Sequence, residues 1–225
     1  MTQSEQHRDD CEPMSTWTTP DHALAYLSRA DAIPHRTEGE AVLLDHLPPQ
    51  PQRILDLGTG DGRLMGLIKL KYPSVSGVVV DFSAPMLAAV QARFADDDTI
   101  TVVTHDLSQP LPDLGNFDAI VSSFAIHHLE DDRKHSLYQE IYDRLCPGGV
   151  FCNLEHVASP TPRLHHQFLA AIGYRPEEED PENRLLDVET QLRWLRAIGF
   201  TDVDCHWKWL EMALLAGVKP EQSPS

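Results

Sequence analysis

The sequence predicts an α/β fold of three layers, with helices on both faces of a mostly parallel sheet. Three observations predict it. Residues 53–57 form a short apolar run that leads straight into glycines at alternate positions, Gly58, Gly60 and Gly62, with a helical pattern from Arg63. Val78-Val79-Val80 is entirely β-branched and has no polar alternation, as a strand buried on both faces requires. Further short apolar runs alternate with helix-period stretches, the pattern of successive βα units.

The elements follow in order. Residues 1–18 read as a loose tail: Met1–Pro13 is polar and carries Asp9, Asp10 and Glu12, without the apolar stretch of a signal peptide. Two short helices are expected at roughly 20–30 and 36–47, over the region 19–50. Pro48-Pro49-Gln50-Pro51 ends the second and delivers the chain to the first strand. After the glycine turn comes the strand ending at Asp81, and then Ser83 as a helix cap with Pro85 in the first turn. Ile100–Val103 is a third strand, followed by His105-Asp106-Leu107. Phe117–Val121 is a fourth and runs into Ser122-Ser123-Phe124-Ala125-Ile126-His127-His128-Leu129. A helix with Leu137, Ile141 and Leu145 on one face stops at Pro147-Gly148-Gly149, and Val150–Leu154 begins a fifth strand. A helical stretch then runs from Ser159–Pro162 to about Ile172, followed by the acidic loop Glu177–Glu182. The helix Asp187–Ile198 ends at Gly199, and Phe200–Cys205 with Trp207–Ala216 form a terminal strand pair. One domain over 51–217 is expected, with a helical cap at about 159–186 and a tail at 218–225.

Composition narrows the function. The chain has 225 residues, 41% of them hydrophobic, enough for one domain with its own core. Its 35 acids against 18 bases give a formal net charge of −17, which repels phosphate backbones and disfavours nucleic acid as a partner. No apolar run approaches the roughly 18–20 residues of a membrane span. Cys11, Cys146, Cys152 and Cys205 are scattered without a C-x-x-C pair, which fits a reducing cytoplasm and neither a zinc ribbon nor a disulfide framework.

The glycine run carries the chemistry. Without a Cβ the backbone turns tightly and a ligand approaches closely, and the helix that follows offers unpaired N–H groups. Dinucleotide folds use G-x-G-x-x-G, but position 63 is Arg; here the loop is G-x-G-x-G preceded by Asp56. Asp81 lies about 20 residues further on, where an acid accepts hydrogen bonds from the hydroxyls of a ribose. With the landmarks at 105–107, 122–129 and 147–149, this stretch resembles the class I S-adenosylmethionine-dependent methyltransferases, closely over roughly 50–156 and loosely over the whole chain. The resemblance implies a Rossmann-like three-layer αβα sandwich. Its seven-stranded, mostly parallel sheet would carry an antiparallel last strand inserted into it. It implies S-adenosyl-L-methionine as cofactor and methyl transfer to O, N or C of a small molecule. By the same resemblance Asp56, Gly58, Thr59 and Gly60 line the methionine half of the cofactor. Asp81 takes the ribose, with Phe82 and Met86 beside the adenosine. Asp106 and Leu107 hold the adenine, and Ser123 lies near the methionine end. Tyr26 and Arg36, on helices that cover the cofactor in related enzymes, are candidates for its carboxylate. Some proteins of this fold instead cyclise the cofactor's own side chain or form a carboxylated cofactor, and that alternative stays open.

An acceptor that loses a proton needs a base. His127 and His128 follow the fourth strand at the carboxyl edge of the sheet, where ligands bind in open α/β folds. His128, one residue deeper into the turn, is the first candidate, with an ordinary imidazole ionisation near about 6.5. Glu155 and His156 end the fifth strand on the same edge and offer a carboxylate beside an imidazole. No metal is expected: His165 and His166 are adjacent and so point about 100° apart on a helix, and no i, i+4 histidine pair exists. Oligomeric state is left open.

Overall fold

The computed structural model describes residues 16–19 and 32–221. The helix expected at 20–30, and with it Tyr26, lies outside the described residues. The main elements are α1 (Arg36–His46), β1 (Arg53–Leu57), α2 (Arg63–Lys71), β2 (Ser76–Asp81), α3 (Ala84–Arg93), β3 (Ile100–Thr104), β4 (Phe117–Ser123), α4 (Asp131–Arg144), β5 (Leu145–His156), α5 (Pro162–Ala171), α6 (Val188–Ile198), β6 (Thr201–Trp209) and β7 (Met212–Val218). Among the described residues no helix is long and apolar enough to cross a membrane.

The seven strands lie in the order β3-β2-β1-β4-β5-β7-β6. β1 to β5 pair in parallel, and β7 runs antiparallel between β5 and β6. The order reverses between β1 and β4, which makes the crevice at their carboxyl ends the expected ligand site. Register sets its floor: Leu57 lies beside Ser122, and Ser123 beside Leu154.

Strand periodicity divides the core into two layers. Leu55, Leu57, Val80, Ile120 and Phe151 face Leu137 and Ile141 of α4 and Leu192 and Leu195 of α6. Ile54, Val79, Val121 and Leu154 face Leu43 of α1, Ile68 of α2 and Val90 of α3. Each such side chain contributes about 1.5–3 kcal/mol on burial, so Ile120→Ala would cost about 2–5 kcal/mol. Helix α1 comes unusually close to the sheet: a Cβ on Gly39 would lie 2.8 Å from both Leu154 and Trp207.

The structure departs from the sequence reading at five places. Leu145, read on the helix face with Leu137 and Ile141, opens β5 and pairs with Phe117, so that strand starts before Pro147-Gly148-Gly149 and not at Val150. Thr16–Thr18, assigned to a loose tail, form a 3₁₀ turn, and Thr16 donates from its amide and hydroxyl to Glu182 Oε1 at 2.6 and 2.8 Å. The predicted tail from residue 218 is paired as far as Lys219, which exchanges backbone hydrogen bonds with Gly148 and Gly149. Ser83 sits at the N-cap of α3, but its hydroxyl donates to Trp17 O at 2.6 Å instead of capping. The terminal pair turns at Leu210-Glu211 and not at His206, so Trp207 and Trp209 both belong to β6. Two register shifts let β6 continue through Cys205-His206, and Leu210 makes the turn at φ 49°.

Candidate active site

The turn after β1 is built by its glycines. Gly58, Gly60 and Gly62 all have positive φ, at 65°, 57° and 79°. A Cβ on Gly58 would sit 2.2 Å from the Cβ of Ala125, and one on Gly62 would sit 2.6 Å from Val90. Only at Gly60 does that direction open out, with Met86 Sδ at 3.9 Å as the nearest atom. The turn is pinned by Thr59 N to Val80 O at 2.9 Å, by Gly60 N to Asp81 Oδ2 at 2.8 Å, and by Thr59 Oγ1 to Asp56 Oδ2 at 2.7 Å.

Above this turn lies a cavity of about 560 Å³. Its lining includes Arg36, Asp56, Gly58, Thr59, Gly60, Asp81, Phe82, Met86, Asp106, Leu107 and Ser123. Among the described residues the fold thus brings together every cofactor candidate named from the sequence; Tyr26 lies outside them. Asp56 Oδ1 and Ser123 Oγ are buried here without a hydrogen-bond partner among the described residues. Burial pushes the Asp56 carboxyl up to about 7, against the hydrogen bond from Thr59. Burial also raises Asp81, opposed by the amides of Ser83, Gly60 and Phe82. Arg36 is held in place by Glu40, which accepts from Arg36 Nε at 3.0 Å and from Arg63 Nε and a terminal nitrogen at 2.7 and 2.8 Å.

A second cavity of about 330 Å³ adjoins the first and shares Trp17, Phe124 and His128 with it. Phe168, Leu169, Ile172 and Met212 give it an apolar floor, and His127 and His156 reach it from the ends of the sheet. His127 Nδ1 lies 2.6 Å from Glu155 Oε1, with both side chains buried. Burial holds His127 well below the usual imidazole range and pushes Glu155 up to about 7. His156 Nε2 meets Glu211 Oε2 at 2.9 Å, and Glu211 in turn bridges to His165, which reaches Glu179 at 3.1 Å. Burial raises Glu211, but hydrogen bonds from His156, Ser159 and His165 outweigh it and hold the carboxyl low.

His128 stands between the cavities. Its ring lies edge-on to Trp17 at 5.3 Å, and its Nδ1 is 3.4 Å from Glu182 O. Burial, then the neighbouring His127, lower it to about 3, so the ordinary ionisation near 6.5 expected from the sequence is not what the fold provides. Among the described residues no group of three or more His, Cys, Asp or Glu side chains is placed to hold a metal ion.

Residues 54–149 match the family model of a methyltransferase domain. An uncharacterized methyltransferase of Mycobacterium tuberculosis is 34% identical over 127 residues, 56% of this chain and 60% of that relative. A demethylmenaquinone methyltransferase of Clavibacter sepedonicus is 29% identical over 190 residues, covering 77% of this chain and 76% of the relative. A carboxy-S-adenosyl-L-methionine synthase of Desulforapulum autotrophicum is 27% identical over 188 residues, covering 75% of each. A putative methyltransferase of Haloferax volcanii, solved with the Trm112 activator, superposes with a TM-score of 0.70 at 17% identity, over 93% of this chain and 100% of that one. Over residues 54–149 the chain thus matches a methyltransferase domain, and its fold is that of solved methyltransferases.

Within this methyltransferase fold the sequence missed what supports the site from behind. Glu40 reads as one more helix-surface acid, and only the tertiary fold shows it clasping Arg36 and Arg63. Glu211 falls inside the stretch read as the last strand, and its pairing with His156 follows from the register that sets His156 against Met212. Trp17 lay in a stretch read as tail. A turn containing Trp between two threonines was the available signal.

Proposed function

We propose that this protein transfers a methyl group from S-adenosylmethionine to a small-molecule acceptor held in the second cavity. One observation carries the reading: a cavity with a glycine cradle and two unpartnered buried polar atoms meets an apolar cavity at Trp17, Phe124 and His128. The cofactor suits the first cavity by its chemistry. Asp56, carrying an unpaired oxygen and raised by burial, suits the ammonium of the methionine part, and Ser123 Oγ is a second free partner beside it. Arg36 would take the carboxylate and Asp81 the ribose hydroxyls. Phe82 and Met86 would flank the adenosine, with Asp106 and Leu107 at the adenine. The open side of Gly60 is where a ligand can lie against the backbone. When bound, the cofactor supplies an electrophilic methyl carbon on a sulfonium.

The chain's own residues orient and exclude water. Trp17 and Phe124 lie where the cavities meet, and Ser83 and Glu182 hold the Thr16–Trp17 segment over them. Holding two reactants in line is itself worth a large part of such a barrier. The identity shared with a carboxy-S-adenosyl-L-methionine synthase supports a second reading, chemistry on the cofactor alone.

Calorimetry with S-adenosylhomocysteine tests the cofactor site, and absence of binding would sink both readings. Mass spectrometry of cell extract incubated with the enzyme and a deuterated-methyl cofactor then separates them. A labelled small molecule supports methyl transfer. Consumption of the cofactor without any labelled acceptor supports the alternative.

A further inference from the structure

We propose that the second cavity takes an uncharged acceptor with a ring-sized apolar body and a weakly acidic hydroxyl, that His127 receives the hydroxyl proton, and that Glu155 is the positioning residue that fixes the imidazole for it. The proposal rests on the methyl-transfer reading above.

The geometry sets the roles. β4 and β5 end side by side, so His127 after one meets Glu155 at the end of the other. Nδ1 of His127 is engaged by the carboxylate at 2.6 Å, while Nε2 has no partner among the described residues and the ring lines the cavity. With Glu155 ionised, Nδ1 carries the ring proton and Nε2 is the nitrogen that accepts one. Its backbone is fixed as well, since His127 O accepts from Arg184 N at 2.9 Å.

The carboxylate cannot swing away. Its Oε2 accepts from Asn153 Nδ2 at 3.2 Å and its Oε1 from His156 N at 2.9 Å. Asn153 also donates to Tyr138 Oη at 3.3 Å, and Tyr138 donates to Gln191 Oε1 at 2.6 Å. Asn153, Tyr138, Gln191 and Glu155 are each at most 1% exposed. Apolar side chains of the same volume would serve stability as well or better, so a buried polar chain of this length points to a task. The other histidines are engaged differently. His156 is tied at Nε2 to Glu211, and that chain runs outward through His165 to the acidic segment, holding it over the cavity. His128 lies at the junction of the cavities.

The lining selects the acceptor. The floor is apolar, and among the described lining residues there is no Lys or Arg to receive a carboxylate or phosphate. Glu178, paired to Arg175, and Glu179, paired to His165, join Asp180 in the lining, so its ionised side chains are all acidic and offer an anion no partner. Burial keeps His127 neutral and only weakly basic, which suits a phenol-like hydroxyl better than an aliphatic alcohol. In the step, the acceptor oxygen bonds to the methyl carbon as the carbon–sulfur bond breaks, and its electron pair stays on sulfur. The hydroxyl proton moves to His127 Nε2, and the imidazolium is stabilised by Glu155.

The test uses three probes with one body: 2-naphthol, 2-naphthoate and 2-(aminomethyl)naphthalene, each added to the full chain with S-adenosylhomocysteine. The hydroxyl probe is expected to bind at least about tenfold more tightly than the carboxylate and to shift the His127 Nε2 resonance in ¹⁵N-histidine spectra. With S-adenosylmethionine, Glu155→Gln is expected to lower kcat for 2-naphthol by on the order of 10²-fold, within the usual range for proton-transfer catalysis, with KM within about threefold. His127→Gln should do the same. Tighter binding of the carboxylate or ammonium probe, or of none, overturns the proposal. So does an unmoved His127 resonance, no methylation of the bound naphthol, or a Glu155→Gln effect on KM alone. A protein that fails to bind S-adenosylhomocysteine would instead overturn the reading on which the proposal rests.

Discussion

The amide of Gly60 donates to Asp81 Oδ2 across 2.8 Å, so the carboxylate that ends β2 also holds the glycine turn that follows β1. Its other oxygen accepts from Ser83 N at 2.9 Å and fixes the start of α3. Asp81 therefore sets the shape of the cavity it lines. Asp81→Ala should weaken S-adenosylhomocysteine by about 1.5–3 kcal/mol, the range for hydrogen bonds to a charged group. It should also lower the melting temperature, because two amides lose their acceptor. Calorimetry beside thermal unfolding separates the effects. Unchanged affinity with reduced stability would leave Asp81 a purely structural role.

The glycines should respond differently to the same change. Gly60→Ala adds a methyl that meets only Met86 at 3.9 Å, so its folding cost is the left-handed backbone alone, about 1–2 kcal/mol. The methyl nevertheless enters the cavity, and cofactor affinity should fall much further than stability. Gly58→Ala pays the same backbone cost and drives a Cβ to 2.2 Å from Ala125, adding about 1–3 kcal/mol of overpacking. Denaturant unfolding should rank Gly58→Ala as the less stable variant. The reverse ranking would refute the open-side assignment at Gly60.

The same contrast explains what could be read in advance. The glycine turn, Asp81 and the β-branched strands act through local backbone rules, which spacing alone expresses. The mostly parallel sheet and the inserted antiparallel last strand followed from family resemblance. Pairings across the sheet did not, because they depend on register: His127 and Glu155 are 28 positions apart, and nothing in either neighbourhood announces the other. Preference for His128 over His127 came from position along the turn. In the fold that turn is a 3₁₀ segment, Ile126–His128, that buries His127 against Glu155 and leaves His128 facing Trp17. The β6 boundary was misplaced because a bulge breaks the alternation that marks a strand, and the pattern has no way to signal that pairing resumes.

Asp56 should make cofactor binding pH-dependent. Its carboxyl is raised from 3.8 to about 7, mainly by burial, so between about pH 4 and 7 the folded protein without cofactor holds a proton that the unfolded chain has lost. Stability from this group is therefore present at low pH and declines as pH rises through that window. Glu155, at about 7, acts in the same sense, and His128, at about 3, in the opposite one, so the useful comparison is wild type against Asp56→Asn. An ammonium placed beside Asp56 would favour the carboxylate and expel the proton. Calorimetry at pH 6 in buffers of different ionisation enthalpy should show release of up to about one proton per cofactor bound, absent in Asp56→Asn. Equal proton counts in both proteins would remove Asp56 from the ammonium site.

Glu40 should matter to folding and to the cofactor through one contact. It is 2% exposed and receives Arg36 and Arg63 together, so Glu40→Ala leaves the buried Arg36 beside an empty space. Removing one member of a buried ion pair costs about 3–5 kcal/mol, and the partial exposure of Arg63 argues for the lower end. Denaturant titration reads that loss. The functional consequence is selective, because Arg36 is assigned to the carboxylate of the cofactor's methionine part. Methylthioadenosine has the same nucleoside and sulfur but lacks the amino-acid part. Glu40→Gln and Arg36→Ala should both weaken S-adenosylhomocysteine while leaving methylthioadenosine within about twofold, since groups that share no contact contribute independently. If both ligands weaken equally, Arg36 and Glu40 shape the cavity as a whole, and the carboxylate must be held by another residue.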